Sequence, residues 1–460
     1  MIQSKTFEIK RRFICDTIVI GGGTTGIAAA IASARNGACT MLIENCGHLG
    51  GTATVVPSWM GFHAPDGSQV VKGIALELLT ELQTIGGATP LYPDPICGSM
   101  AAINTHWLKI VADKKIRNSG VQLLLHTRFV GLEKAGRNIS GVYLWGGEGL
   151  IYVDCKFVID CTDTGVVALE SGEKMIRGRV SDGKVQVSSW TFEIGNVDFT
   201  ELAAYFTKYP EDLRPFPLKD AAAHVRTVLT QDAFVMGAFA RLVARAKEDG
   251  MRLPRNNMPG VVFPATGKFV TVASRVENVD TSDSLAYTQA ESTGITQVEI
   301  WLNFLKKYVP GFKKCTLSDT YGSIGIRETN HMAGAYTLTA DDLLCGRRFD
   351  DVIALGGYHL DIHSPDHDGI ETRFPAIYMI PYRALLPLNT GNLLVAGRAI
   401  SATHEAQAST RVIPISMAEG EAAGTAAALC AAAGVSAGNV SMEELQRKLS
   451  GAGALINHQQ

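Results

Sequence analysis

The stretch that decides the fold is Thr17-Ile18-Val19-Ile20-Gly21-Gly22-Gly23-Thr24-Thr25-Gly26, followed by a helical segment and then by Cys39 to Ile43 and Glu44. Thr17 to Ile20 is short, β-branched and apolar, the pattern of a buried parallel strand. Ile27, Ala30, Ile31 and Ala34 recur at helical spacing on one face, and Gly37 supplies the stop. Cys39 to Ile43 is the next strand and ends at an acid. Strand, GxGxxG, helix, strand, acid is the order that a dinucleotide requires. Gly21 makes the tight turn, Gly23 lets a diphosphate approach the backbone, and Gly26 lets helix and strand close on each other. The amides at the helix start, from Thr24 and Thr25, face the phosphates, and Glu44 is placed to accept a ribose 2′-OH.

Outward from that block, Cys46-Gly47-His48-Leu49-Gly50-Gly51-Thr52 brings a Gly-Gly pair back past the ribose acid and its neighbour Asn45. Far downstream, Asn392 to Ala396 reads as another buried strand, ending at Gly397-Arg398. It leads through Ser401-Ala402-Thr403-His404-Glu405 and Arg411 into an Ala- and Gly-rich helix with Pro414 near its first turn. Two glycine strands this far apart point to a cofactor held by both halves of the chain. Between Gly50 and Phe62 there is no cysteine, which excludes the paired-thiol chemistry of flavin disulfide reductases. The only late glycine motif, Gly451-Ala452-Gly453, has no room for a second nucleotide-binding unit, so no dedicated NAD(P)H domain is expected.

Composition sets the outer limits. The chain has 460 residues, 46% hydrophobic and 19% charged; this fills complete cores and excludes disordered classes. At ~150 residues per domain the length suggests about three domain-sized units. A formal net charge of −3 gives no basic field for nucleic acid or an anionic membrane. Nine dispersed cysteines without a CxxC read as reduced intracellular thiols. Arg11-Arg12 before an apolar run imitates a signal peptide, but Asp16 and the glycine block interrupt it. The reading is a soluble, cytoplasmic protein.

The N-terminal block, Gly50-Gly51 and Val395-Ala396-Gly397-Arg398 resemble the two-part FAD site of glutathione-reductase-type flavoproteins. More narrowly, the chain resembles the bacterial FAD-dependent oxidoreductases related to fumarate reductase flavoproteins. That match includes Gly325-Ile326-Arg327-Glu328-Thr329, Gly334 to Thr339, Arg348-Phe349-Asp350-Asp351, Asp361-Ile362-His363 and Ser401 to Ala406. The resemblance implies an α/β fold: a Rossmann-like FAD-binding domain formed by residues 1–170 and 346–460, with an α+β substrate cap inserted over 171–345. It implies FAD contacts from Val130 at the adenine edge, after the strand Val121 to Leu125 and its Arg128-Phe129 extension, from Thr162 in the Asp160-Cys161-Thr162-Asp163-Thr164-Gly165 run, and from Ile413, Ile415 and Ser416 at the distal helix. Asp163 stands where the family usually has glycine, and Asn330-His331 where it usually has arginine. The activity implied is FAD-dependent oxidoreduction of a small polar organic substrate, with a hydride passing at flavin N5 and an external electron donor or acceptor. The alternative is a flavin-binding scaffold or electron relay. Homo-oligomerisation stays open.

Within the expected cap, Val185 to Ile194 and Phe269 to Ala273 read as strands. Ile295, Val298, Leu302, Leu305 and Val309 mark one face of a helix stopped by Pro310-Gly311, and Thr339 with Asp342 starts a short helix. Flavin oxidation of a C–H bond also calls for a proton-handling group. His363, between the cap and the distal strand, is the first candidate; the plain alternative is a loop histidine. Arg327 is placed to grip a substrate carboxylate or carbonyl, with Glu328 beside it, or the two form an internal ion pair. His404 and Arg411 either orient the substrate or pin a loop. His359, Asp361 and His363 alternate as a metal face would, but a flavin already supplies the chemistry and no metal is expected. His48 and Cys46 raise covalent flavin attachment; Trp59, Met60, Phe62 and His63 are expected beside the flavin ring, with core packing the favoured alternative for Trp59 and Met60.

Overall fold

A computed structural model describes residues 6–214 and 218–457. Its organising element is the strand Ile9–Ile20, whose last four residues are buried. Thr40–Ile43 pairs with it in parallel, Thr17 opposite Thr40 and Ile20 opposite Ile43. Gly149–Asp160 lies on its other side, also parallel, with Ile20 opposite Asp160. Gln122–Leu124 extends the sheet beyond Thr40–Ile43. Leu393–Val395 adds a parallel strand beside Gly149–Asp160, Val395 opposite Asp160. This register brings the carboxyl ends of four strands level, so Gly21, Glu44, Cys161 and Ala396 leave the sheet along one edge. In open parallel sheets that edge is where ligands bind.

Two helices cover the sheet. Thr24–Arg35 follows the glycine block, and Ile413–Ala433 follows the distal strand. The latter is hydrophobic around most of its circumference and is buried along its length, as an interior helix must be. The two helices touch backbone to backbone: a Cβ on Gly424 would fall 2.0 Å from Ala29 O, and one on Gly420 would fall 2.2 Å from Thr25 O.

A second, antiparallel sheet lies within residues 192–319, in the order Phe234–Ala238, Met258–Phe263, Lys268–Thr271, Phe192–Gly195, Thr316–Asp319. It has its own aromatic core of Phe192, Phe206, Phe239, Phe269, Trp301 and Phe304.

Three expectations need correction. Val185 to Ser188 is not strand; only Ser189–Trp190 and Phe192–Gly195 are, because the earlier residues spend their polar groups on loops, as Gln186 N does on Glu328. The helix before Pro310 begins much earlier, at Ser284, where Asp283 caps it. Its buried face runs through Ala290, Gly294, Val298, Trp301 and Leu305, while Ile295 is exposed. The small residues Ala290 and Gly294 allow the close approach, with Trp190 Cβ 3.1 Å from a Cβ on Gly294. Finally, Arg128-Phe129 does not extend the strand before it; Arg128–Ala135 is a separate strand, antiparallel to Asn138–Gly146.

Candidate functional site

The level strand ends open onto one cavity of about 1020 Å³. Gly21, Gly23, Thr24 and Thr25 from the first block, Glu44 and Asn45 from the second strand, and Gly51 and Thr52 from the Gly-Gly segment line one part of it. Thr162, Gly397, Arg398 and Ile413 line it from the distal side, with Arg327 and Arg411. Stretches nearly four hundred positions apart therefore share one groove.

Each glycine of the block has its own reason. A Cβ on Gly21, at φ +102°, would sit 2.7 Å from Cys161 O, and one on Gly26 would sit 1.8 Å from Gly21 O. A Cβ on Gly23 would meet nothing within 4 Å, so that position faces open space. Gly50 lies just behind the cavity and holds the crossing, its N–H donating to Gly22 O at 2.9 Å. Glu44 is fixed by two amides: Gly22 N–H donates to Oε2 and Cys46 N–H to Oε1, both at 2.7 Å. A carboxylate has about four lone-pair sites, so acceptor capacity remains for a ribose hydroxyl.

The helix starts carry the strongest signal. The first amides of a helix have no partner within it, and in this fold side chains supply partners almost everywhere. Asn104, Asp198, Asp220, Asp283, Thr339, Thr403 and Ser441 each cap the helix they precede. Asp160 caps the helix Val166–Glu170 from the sheet, Asp212 serves Arg241, and Glu421 serves Ile74. Among the α-helices of the described residues only Thr24–Arg35 and Ile413–Ala433 start without a side-chain partner. Both starts open on the cavity, with Thr24 and Thr25 at one and Ile413 and Ser416 at the other. Two positive helix ends left free in one groove, with an open cradle at Gly23 and an acid at Glu44, fit a dinucleotide carrying a diphosphate and an electron-accepting ring.

The arginines complete the charge pattern. Arg398 donates to Ile326 O and lies 3.5 Å from Asp163. Arg327 donates to Val187 O at 2.7 Å and to Ser189 Oγ at 2.8 Å, and no carboxylate pairs with it among the described residues. Arg411 donates to Asp361 through its backbone O and its carboxylate, at 3.1 and 3.2 Å.

Several predicted site residues stand behind the wall. His363 is buried and does not line the cavity. Arg255 donates to its Nδ1 at 3.4 Å, and its Nε2 donates to Asp361 at 3.1 Å. Burial and the nearby Arg327 charge push it down to about 3. Both ring nitrogens are engaged, and the ring stands behind the cavity wall rather than on it. Glu328 is also enclosed, accepting from His331 at 2.7 Å, from His404 at 2.8 Å and from Gln186 N at 2.8 Å. Glu328 and His404 thus form a buried clamp rather than a cavity face. Ile415 is buried, and the wall falls to Ile413 and Ser416 instead.

Val130 is displaced by a bulge: the ladder skips from Phe129 to Gly131, leaving Val130 47% exposed while Thr127, Arg128 and Phe129 face the cavity. Trp59 and Phe62 are core residues at 0% exposure, and neither they nor Met60 and His63 reach the cavity. His48 and Cys46 do line it. Sequence reasoning missed Lys109 and His106 on the helix Thr105–Asn118, and Tyr287 and Tyr321 from the second sheet's side. No local pattern marks them; they arrive by tertiary placement. The alternating His359, Asp361 and His363 do not form a metal face: Asp361 is taken up by Arg411 and His363, and no group of three metal-ligating side chains is assembled among the described residues. No described helix is long and apolar enough to cross a membrane.

Comparison with known proteins agrees with this geometry. No curated protein matches the chain. Among solved structures, a p-nitrophenol 4-monooxygenase from Pseudomonas putida superposes with a TM-score of 0.51 at 12% identity, over 95% of this chain and 84% of that one. A flavoprotein/dehydrogenase from Cytophaga hutchinsonii gives 0.47 at 10% identity, over 95% and 83%. At 12% identity the first of these speaks to the fold alone. A family model described as FAD dependent oxidoreductase matches residues 16–449, and with the cavity it fits, the chain belongs to the FAD dependent oxidoreductase family, an enzyme whose cofactor is FAD.

Proposed function

We propose that the enzyme moves a hydride between a small polar organic substrate and flavin N5, with FAD held in the two-part manner of glutathione-reductase-type flavoproteins and a kinship to fumarate reductase flavoproteins. Residues 1–170 and 346–460 would hold the cofactor and 171–345 would cap it. When bound, FAD supplies the two-electron chemistry; the chain supplies position and charge. The observation that carries this reading is the pair of uncapped helix starts opening on one cavity.

On this reading the amides of Thr24 and Thr25 receive the diphosphate and Glu44 the ribose. The start of Ile413–Ala433 presents its partial positive charge where electron density gathers on the ring. Arg327, free of any carboxylate, anchors a polar group of the substrate. Arg411 stands beside it, locked by Asp361, and His363 steadies Asp361 from behind. Tyr287 and Tyr321, from the second sheet's side, would shield these groups from water. Electrons leave or arrive through an external donor or acceptor.

Anaerobic addition of candidate polar metabolites to the purified enzyme should bleach the flavin band at roughly 450 nm. A folded protein that neither retains nor binds flavin would defeat the reading. Arg327→Leu should leave FAD content unchanged and lower kcat/KM by about 100-fold, chiefly through KM, with Arg327→Lys intermediate. Unaltered kinetics in Arg327→Leu would remove that residue from the substrate site.

A further inference from the structure

Glu419 lies on Ile413–Ala433, three residues beyond the cavity-lining Ser416, and is fully buried. Its Oε2 accepts the Gly397 N–H at 3.0 Å, and its Oε1 has no hydrogen-bond partner. Gly397 itself lines the cavity, in a turn at φ +87° pressed against Thr25.

The groups that face Glu419 are all uncharged. Cys161, half-buried at the cavity wall just after the strand Gly149–Asp160, presents a thiol. Tyr378, from the strand Tyr378–Pro381, presents a phenol paired with Ser409 Oγ at 2.6 Å. Thr25, from the glycine-block helix, presents a hydroxyl side chain against Gly397. Asp160, the acid next to Cys161 in the chain, is occupied by Thr162 and by the amides of Val167 and Ala168. No cation pairs with Glu419 among the described residues. A carboxyl group buried without counter-charge is driven to its neutral form, and burial holds this one well above the usual carboxylate range. Because Oε2 accepts from Gly397, the proton sits on Oε1, where the protein alone offers no acceptor.

We propose that Glu419 is a positioning residue for FAD: as a neutral acid it fixes the Gly397 amide at the cavity wall, and its ionisation expels the cofactor. The inference rests on the placement of FAD proposed above. The diphosphate carries two negative charges along a wall that Gly397 shares with Thr24 and Thr25. An unpaired carboxylate beneath that wall repels it through a medium of low dielectric. By linkage, FAD binding and protonation of Glu419 favour one another, and binding at high pH takes up a proton.

The test measures FAD dissociation from the full-chain holoenzyme by dilution, reading the fluorescence of released FAD between pH 6 and 10. Wild type should hold FAD at pH 6–7 and lose affinity as pH rises, approaching about tenfold per pH unit once Glu419 ionises in the FAD-free protein. Glu419→Gln should stay within about threefold of wild type at pH 7 and show no such loss, while Glu419→Ala should bind at least about tenfold more weakly than Glu419→Gln at every pH. A Cys161→Ser control that keeps the wild-type profile assigns the titration to the acid. Identical pH profiles for wild type and Glu419→Gln overturn the inference. Should Glu419→Gln fail to fold, proton uptake on FAD binding to wild type at pH 9–10 decides: uptake supports the proposal and its absence overturns it. A wild-type chain that binds no FAD at any pH overturns the placement of the cofactor, and this inference with it.

Discussion

At the scale of single residues, the glycine block separates two jobs that look alike in sequence. Gly26 and Gly21 are there for the protein's own backbone; Gly23 is there for something else, since a Cβ on it meets nothing and its φ of −63° suits any residue. Gly23→Ala should therefore keep the wild-type melting temperature and lower FAD affinity by at least about tenfold. Gly26→Ala should cost about 1–3 kcal/mol of stability, because its Cβ would fall on Gly21 O. Thermal melts beside FAD titrations check the pair, and equal behaviour of the two variants would refute the division. The same scale shows what spacing leaves open: the two ring nitrogens of His363 meet Arg255 and Asp361. Which neighbours a ring will find is not written in its flanking residues.

At the scale of elements, side-chain caps distinguish structural helices from ligand-facing ones, and some caps come from far away. Glu421 accepts from Ile74 N at 2.9 Å, capping the helix Gly73–Thr84 across 347 residues. Gly73, at φ +60°, leaves room for its carboxylate. Burial pushes Glu421 up to about 7. The folded state then holds a proton that the unfolded chain releases near pH 4.5. The stability linked to this group is fully present below that pH and is lost as pH rises through about 7. Wild type should lose about 2–3 kcal/mol relative to Glu421→Gln between pH 5 and 8. Parallel curves of melting temperature against pH for the two proteins would exclude it.

For the molecule as a whole, the joint between the two sheets matters most, because the cavity lies where they meet. Glu328 ties its own segment, which includes His331 three residues on, to two remote ones through Gln186 and His404. These histidines hold its carboxyl down to about 2, so its contribution is present above the ordinary carboxylate range and fades as pH falls toward 2. Glu328→Ala strands buried donors and should cost at least about 3 kcal/mol. Urea unfolding would show it as a lower midpoint, accompanied by loss of FAD. An unchanged midpoint would mean that the clamp adds nothing to the joint.

The sequence by itself determined the parallel sheet, the glycine turns, the acid at the second strand's end and the distal helix with Pro414 in its first turn. These follow from short-range rules: strand and helix periods, positive φ, and the missing amide of proline. Tertiary structure alone decided the exposure of Val130 on its bulge, the burial of Glu328, His363 and His404, and the arrival of Lys109 and Tyr287 at the cavity. Each depends on which side chain meets which across tens to hundreds of residues. Packing and buried charge settle that, and neither has a period to read.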